Sequence, residues 1–204
     1  HLDQKEIGRY LAGQTVLVTG AGGSIGSQLC RQLIKFEPKK IILLDAGEEN
    51  LYKIQMELHH DHQFLDYVPV LTKIQNKALL NSIFAEYAPS VVFHAAAYKH
   101  VPLMEANPYE AINVNVLGTK IIVDLAIENN VDKFVMVSTD KAVNPSSIMG
   151  ASKRIAEKYV QSLHFHLLQT NKNSPTKYIT TRFGNVLGSN GSIVPLFTKQ
   201  IQEG

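Results

Sequence analysis

The residues best suited to chemistry fall in a few short stretches of the 204-residue chain. Thr19-Gly20-Ala21-Gly22-Gly23-Ser24-Ile25-Gly26 sets glycines at 20, 23 and 26, a G-x-x-G-x-x-G spacing. Glycines at that interval permit a tight turn and bring the backbone close to a pyrophosphate, and a helix beginning there aims free N–H groups at the anion. Asp45 follows, roughly 20 residues beyond the loop, where a carboxylate can accept hydrogen bonds from ribose hydroxyls. It would also repel a 2′-phosphate, and the next residues, Ala46-Gly47-Glu48-Glu49, offer no Arg or Lys to bind one. The pattern favours NAD over NADP. An Asp that caps a helix fits Asp45 as well. Farther on, Thr139-Asp140-Lys141 places an acid beside an amine, and Met149 and Lys153 stand one helical turn apart. Taken alone, the Asp140-Lys141 pair reads equally as a surface turn.

Placing these groups requires a particular frame. Short apolar, β-rich runs at Thr15–Thr19, Lys40–Asp45, Tyr67–Leu71, Val91–His94, 133–138 and 177–182 alternate with helical patterns. Several are continuously apolar, as expected of strands covered on both faces. Ile25, Leu29, Leu33 and Ile34 share one face of the first helix. Ile112, Leu117, Ile121, Ile122 and Leu125 share a face of the helix after the fourth strand, which Pro108 can start. Ile155, Tyr159, Leu163 and Leu167 do so after the fifth. This rhythm predicts an α/β, Rossmann-type, doubly wound parallel sheet. The glycine loop then lies between a strand and a helix, which makes a phosphate cradle a much stronger reading than the glycines alone. Residues 171–176 read as a loop.

Composition narrows the functional classes. The net charge is +2 with no basic block, so nucleic acid and anionic membrane surfaces find no electrostatic partner here. The single Cys excludes an internal disulfide and a Cys-based zinc cluster. Hydrophobic residues make up 45%, enough for a core. No stretch reads as a membrane span. The chain begins at His1, and the apolar pattern of Ile193, Val194, Leu196, Phe197 and Ile201 runs to its last residues. It reads as one domain, residues 1–204, excised from a longer protein before a substrate-binding portion.

Four longer motifs occur in order: Phe93-His94-Ala95-Ala96-Ala97-Tyr98-Lys99-His100-Val101-Pro102-Leu103-Met104-Glu105; Ser138-Thr139-Asp140-Lys141-Ala142-Val143-Asn144-Pro145; Met149-Gly150-Ala151-Ser152-Lys153-Arg154; and Arg182-Phe183-Gly184-Asn185-Val186-Leu187-Gly188-Ser189. Together with the glycine loop they resemble the extended short-chain dehydrogenase/reductases. More narrowly, they resemble the CapD-like UDP-N-acetylglucosamine 4,6-dehydratases of bacterial polysaccharide biosynthesis. The resemblance runs from about Leu11 to Gly204. It implies a homo-oligomer on the cytoplasmic face of the bacterial inner membrane, anchored by membrane helices outside this chain.

The resemblance also implies roles. Thr139, Asp140, Lys141, Met149 and Lys153 form the catalytic constellation. Gly20, Gly23, Ser24, Ile25, Gly26, Asp45, Ala95, Ala96, Ala97 and Lys153 hold NAD. Lys99, His100 and Asn185 face the UDP-sugar, and residues 192–195 frame the uridine. Most relatives in the wider superfamily carry Tyr-x-x-x-Lys where this chain has Met149 and Lys153. A thioether cannot carry a proton at neutral pH, so Asp140 and Lys141 must. The implied reaction oxidises sugar C4 with hydride passing to NAD, removes the C5 proton, expels the C6 hydroxyl as water, and returns hydride to C6. Lys141 as the C5 base requires burial and nearby charge to bring its pKa toward about 7–8.

Some stretches depart from the pattern or carry weaker signals. Relatives have a Gly-Asp-hydrophobic-Arg-Asp stretch after the third strand that meets the adenine; here it is Thr72-Lys73-Ile74-Gln75-Asn76. The small Ala95–97 run suits close cofactor approach or simple tight packing. Lys99 and His100 without the resemblance are ordinary loop residues. Asn115 is expected to support active-site strands rather than touch ligand. His59, His60 and His62 read as a solvated helix end rather than a metal site, and His164 and His166 point to different faces. Cys30 reads as a small packing residue. Two rivals stand beside the dehydratase: a UDP-sugar 4-epimerase, and a dinucleotide-binding module without chemistry.

Overall fold

The computed structural model describes residues 4–170 and 176–184. Helix α1 (Gln4–Leu11) precedes β1 (Thr15–Thr19), α2 (Ser24–Leu33), β2 (Lys40–Asp45), α3 (Glu48–His60), β3 (Tyr67–Leu71), α4 (Lys77–Tyr87) and β4 (Val91–His94). Two short helices, α5 (Val101–Ala106) and α6 (Pro108–Ala111), lead into a π-helical segment, Ile112–Gly118, and then α7 (Thr119–Glu128). Strand β5 (Lys133–Thr139), a single turn at Asp140–Ala142, α8 (Ile148–Thr170) and β6 (Lys177–Phe183) complete the described chain.

The six strands form one parallel sheet in the order β3-β2-β1-β4-β5-β6. The direction of winding reverses between β1 and β4, so a crevice opens where the carboxyl ends of these strands part. All six expected strands are present; β5 and β6 each run one residue farther, to Thr139 and Phe183.

The alternation of side chains along each strand fills two cores. Val16, Val18, Ile41 and Leu43 face α2 and α3, where Cys30, Leu33, Leu51, Ile54 and Leu58 cover them. Leu17, Ile42, Leu44, Val92, Phe134 and Met136 face the other way, onto α4, α7 and α8. Burial on both faces is why these strands read as unbroken apolar runs.

The helical periodicity needs correction at two places. Ile112 and Leu117, expected on the inner face, are exposed, whereas Ile122 and Leu125 are fully buried. The π-helix between Ile112 and Gly118 adds residues per turn and rotates the segment before α7 out of the 3.6-residue phase. Asn115 and Gly118 turn inward instead. On α8, Ile155 is exposed while Ala156, Glu157 and Val160 are buried.

No helix among the described residues is long and apolar enough to cross a membrane. Asn185, the 192–195 stretch and the apolar pattern from Ile193 to Ile201 lie outside the described residues, as does most of the expected 171–176 loop.

Candidate functional site

The glycine loop connects β1 to α2 across the point where the sheet order reverses. Gly20 has φ +67°, and a Cβ there would lie 2.7 Å from the amide nitrogen of Ala96. A Cβ on Gly26 would lie 1.9 Å from the Gly20 carbonyl oxygen. The first glycine therefore lets β1 turn against the β4 loop, and the last lets α2 start directly on the turn. Gly23 is the N-cap of α2 and leaves the helix start without a side-chain cap. Ser24, Ile25 and Gly26 thus open a helix whose first N–H groups receive no side-chain cap, the condition under which a helix start can take an anion.

Asp45 ends β2 beside this loop. Its Oδ2 accepts from the Gly22 amide at 2.9 Å and its Oδ1 from the Gly47 amide at 2.8 Å. Gly47 is the N-cap of α3, so Asp45 ties the phosphate loop to the next helix start. Each carboxylate oxygen keeps a further lone pair, which is what a ribose diol needs. Asp45 therefore braces the turn before α3 rather than capping it, since the N-cap of that helix has no side-chain bond, and this bracing is compatible with the ribose-binding reading.

Ala95, Ala96 and Ala97 follow β4 half-buried against the loop. Tyr98, Lys99 and His100 continue as an exposed segment into α5. The 72–76 stretch has a packing role: Ile74 is buried, with its Cδ1 only 2.4 Å from where a Gly118 Cβ would stand, and Asn76 caps α4 by accepting from the Leu79 amide.

At the end of β5 the Thr139 hydroxyl donates to Asp140 Oδ1 at 2.9 Å and accepts from the Lys141 amide at 3.4 Å. The Lys141 ammonium lies 3.5 Å from the same carboxylate oxygen. The Thr139 hydroxyl, and then the Lys141 charge, hold the Asp140 carboxyl below the usual range. The side chains of Asp140 and Lys141 are 58% and 43% exposed, so the expected burial of Lys141 is not a property of these strand ends alone. Gly150 fixes the pair against α8: a Cβ there would sit 2.4 Å from the Lys141 carbonyl oxygen.

Met149 does not join this polar group. It is 3% exposed and packs with Met104 and Ala111 in a small apolar cluster under α5 and α6. In this structure its contacts are packing ones. Lys153, one turn later, is 4% exposed and donates to the Val137 carbonyl at 2.8 Å. Burial lowers its pKa to about 8, against an upward pull from Glu157.

Sequence reading expected Asn115 to act as a support but missed the histidine that joins these parts. His94, fully buried at the end of β4, stands beside Thr19 in the strand register. The Thr19 hydroxyl lies 2.7 Å from Nδ1 and the Thr119 hydroxyl 2.9 Å from Nε2. Asn115 clamps the Tyr98 peptide from both sides, accepting from its amide at 2.8 Å and donating to its carbonyl at 3.0 Å, and also donates to Ser152. The available signal was a histidine ending an apolar strand, level with a threonine on the neighbouring one.

His59 and His60 are exposed at the end of α3, and His62 lies 3.7 Å from Glu57. Among the described residues no group of acidic, His or Cys side chains is placed to hold a metal ion. Cys30 is buried, and burial pushes its thiol up to about 12.

Residues 16–204 match the family described as "Polysaccharide biosynthesis protein". The chain is 54% identical over its full length to the capsular polysaccharide biosynthesis protein CapD of Staphylococcus aureus, of which it covers 33%. It is 35% identical over 94% of its length to an inverting UDP-N-acetylglucosamine 4,6-dehydratase of Campylobacter jejuni, covering 55% of that protein. It is also 35% identical over 94% of its length to a UDP-glucose 4-epimerase of Rickettsia rickettsii, covering 54%. Among solved structures, WbmH of Bordetella bronchiseptica in complex with NAD+ superposes with a TM-score of 0.73 at 25% identity, over 94% of this chain and 63% of that one. The chain thus spans a third to about two thirds of the proteins it matches. It belongs to the polysaccharide biosynthesis protein family, within the nucleotide-sugar dehydratases and epimerases built on the extended short-chain dehydrogenase/reductase fold.

Proposed function

We propose that the chain is the cofactor-binding and catalytic part of a UDP-N-acetylglucosamine 4,6-dehydratase that works with NAD. The observation that carries this reading is the Thr139-Asp140-Lys141 group at the carboxyl end of β5, the sheet edge that also carries the glycine loop. An epimerase needs no base at sugar C5; an acid and an amine side by side suit an elimination.

The pocket fits a dinucleotide on its own geometry. The loop has no room for side chains at Gly20 and Gly26, the start of α2 is uncapped, and Asp45 is anchored with lone pairs to spare. When bound, NAD supplies the hydride acceptor for C4 and the hydride donor for C6. The rest is work for this chain. The Asp140 carboxylate takes the C4 hydroxyl proton, and the Thr139 hydroxyl, which donates to Asp140 before this step, turns to the C4 oxygen once that carboxylate is protonated. Lys141 as neutral amine removes the C5 proton that the neighbouring ketone has acidified. Asp140 delivers its proton to the departing C6 hydroxyl, which leaves as water, and Lys141 returns a proton to C5. Lys141 is 43% exposed before the sugar covers it. Lys153 has N–H donors beyond the one on Val137 and would hold the nicotinamide ribose with them. Lys99, His100 and Asn185 contact the UDP-sugar, and the remainder of the longer protein closes over it. The product is a UDP-linked 4-keto-6-deoxy-N-acetyl sugar, made as a homo-oligomer at the cytoplasmic face of the membrane.

The decisive experiment incubates the complete protein with UDP-N-acetylglucosamine in D2O. The expected result is a product lighter by one water, with deuterium at C5. Epimerised sugar without water loss would instead support the 4-epimerase reading, which the Rickettsia relative keeps in view. Normal turnover by Lys141→Ala would remove that residue from the mechanism.

A further inference from the structure

One buried hydrogen-bond chain links the walls of the crevice, and its proton directions are fixed by its own partners. The Asn115 carbonyl can only accept, so the Thr119 hydroxyl, 2.7 Å away, donates to it. With its proton committed, Thr119 accepts from His94, and Nε2 of the ring carries the hydrogen. The ring is fully enclosed; burial, and then the charge of Lys153, lower its pKa to about 3. Nδ1 of the neutral ring is therefore an acceptor, and Thr19 donates to it. The Thr19 oxygen, in turn, accepts from the Ala96 amide at 3.3 Å. On the far side Asn115 grips the Tyr98 peptide and donates to Ser152, whose hydroxyl donates to the Met149 carbonyl at 2.7 Å.

We infer that His94, held as the neutral Nε2–H tautomer, is a positioning residue that locks the phosphate loop and the Ala96 backbone on one side to the π-helical turn and the start of α8 on the other. This role rests on the dinucleotide-pocket reading given above. Directional fit selects the tautomer. A second proton on the ring would place an N–H against the Thr19 oxygen, which already accepts from Ala96, and would leave the Thr19 proton without its acceptor. The opposite tautomer would set Nδ1–H against Thr19 and leave Nε2 facing a hydroxyl whose proton is committed. Only one protonation state closes the chain. Asn115 is turned inward in the π-helical segment, and Thr119 bonds back to its carbonyl four residues earlier. Thr19 and Ala96 bear on the cofactor, Lys153 on α8 bears on its ribose, and His94 sets the distance between them.

The test uses the complete protein and measures NAD affinity, the kcat and KM of UDP-N-acetylglucosamine turnover, and the unfolding midpoint for Thr119→Val, Thr119→Ser and His94→Gln. Thr119→Val keeps the shape and removes the hydroxyl. It is expected to weaken NAD binding at least about fivefold and to lower kcat while the sugar KM moves little. Thr119→Ser restores the hydroxyl and recovers most of both. His94→Gln places a donor at the Nε2 position toward Thr119 but does not set its amide oxygen at the Nδ1 position that Thr19 uses, and is expected to impair NAD binding as Thr119→Val does. A role confined to stability would lower the unfolding midpoint in all three without separating Val from Ser in affinity, and that result would overturn the inference. Should Thr119→Val not fold, His94→Gln is compared with Thr119→Ser instead: weaker NAD binding in the glutamine variant supports the positioning role, and equal, wild-type affinity in both overturns it. A wild-type protein that binds no NAD would overturn the pocket reading and the positioning role together, whereas wild-type binding with unaffected variants overturns the positioning role alone.

Discussion

Lys153 and Glu157 stand one helical turn apart on the buried face of α8, yet each is anchored on a different partner. The ammonium donates to the Val137 carbonyl at 2.8 Å, and the carboxylate receives the Arg182 guanidinium through two bonds of 2.9 and 2.7 Å. Burial alone would push the Glu157 carboxyl up, but Arg182 and Arg154 outweigh it and leave it lowered. Lys153 has no such surplus, and burial wins.

That difference gives the stability of the protein a pH dependence of known sign. Lys153 has its pKa lowered from 10.5 to about 8 in the folded state. Below about 8 the folded protein carries a buried charge; between there and 10.5 the unfolded chain binds the extra proton. Stability contributed by this group therefore rises with pH across that window. The unfolding midpoint of the unliganded protein should show this rise, and Lys153→Met should flatten it. Glu157→Gln removes the group that pulls Lys153 upward, so the window should open at lower pH. An unchanged slope in Lys153→Met would show that another group titrates there.

The glycine loop gives a steric prediction with a built-in control. Gly26→Ala forces a methyl to within 1.9 Å of the Gly20 carbonyl, inside a backbone turn that cannot yield without moving. NAD affinity, measured by calorimetry, should fall by two orders of magnitude or more, since the loop loses the shape that lets a pyrophosphate approach. Gly13, unlike Gly26, has positive φ, +70°, but nothing lies within 4 Å of its Cβ position. Gly13→Ala should lower stability by about 1–2 kcal/mol through backbone strain and leave NAD affinity alone. Equal loss of binding in both would mean that the Gly26 effect is general unfolding.

Much of this architecture was legible in the chain because burial on both faces writes itself into sequence. Ile41, Ile42, Leu43 and Leu44 are all fully buried, and a run of that kind in a short segment has few other readings. The glycine loop was legible because its residue type is dictated by backbone contacts one can anticipate. Asp45 was half legible: its position announced a polar role, but its bond to the Gly22 amide depends on a loop closing back over the strand. The π-helix was not legible. Reading Ile112 and Leu117 at 3.6 residues per turn put them inside, and the error follows from one assumption about phase. The His94 chain was hidden for a different reason. Thr19, His94 and Thr119 are far apart in sequence, and their alignment appears only when β1, β4 and α7 are packed.

Met149 occupies the turn before Lys153 where the wider superfamily has its tyrosine, and its burial beside Met104 and Ala111 predicts how it will respond to substitution. Met149→Leu conserves volume and should lower stability by less than about 1.5 kcal/mol with turnover retained. Met149→Tyr must fit a larger ring and a hydroxyl into an apolar cluster, and should destabilise by roughly 1–3 kcal/mol without raising kcat. A gain in turnover from the tyrosine, seen in a steady-state assay of the complete protein, would show that its hydroxyl can reach the sugar and would reopen the assignment of the proton steps to Asp140 and Lys141.

The Thr139 hydroxyl is the largest cause of the lowered Asp140 pKa, ahead of the Lys141 charge. If Asp140 must be a carboxylate to accept the first proton, the acid limb of the pH profile of kcat/KM reports its ionisation in the free enzyme. Thr139→Val removes the donor that stabilises the charged form, so the Asp140 pKa rises and the acid limb moves to higher pH. Thr139→Ser keeps the donor and should leave the limb near its original place. Lys141→Ala removes a smaller lowering influence and should shift the limb in the same direction by less, within whatever activity remains. A profile that ignores Thr139→Val would mean that the titrating acid is another group.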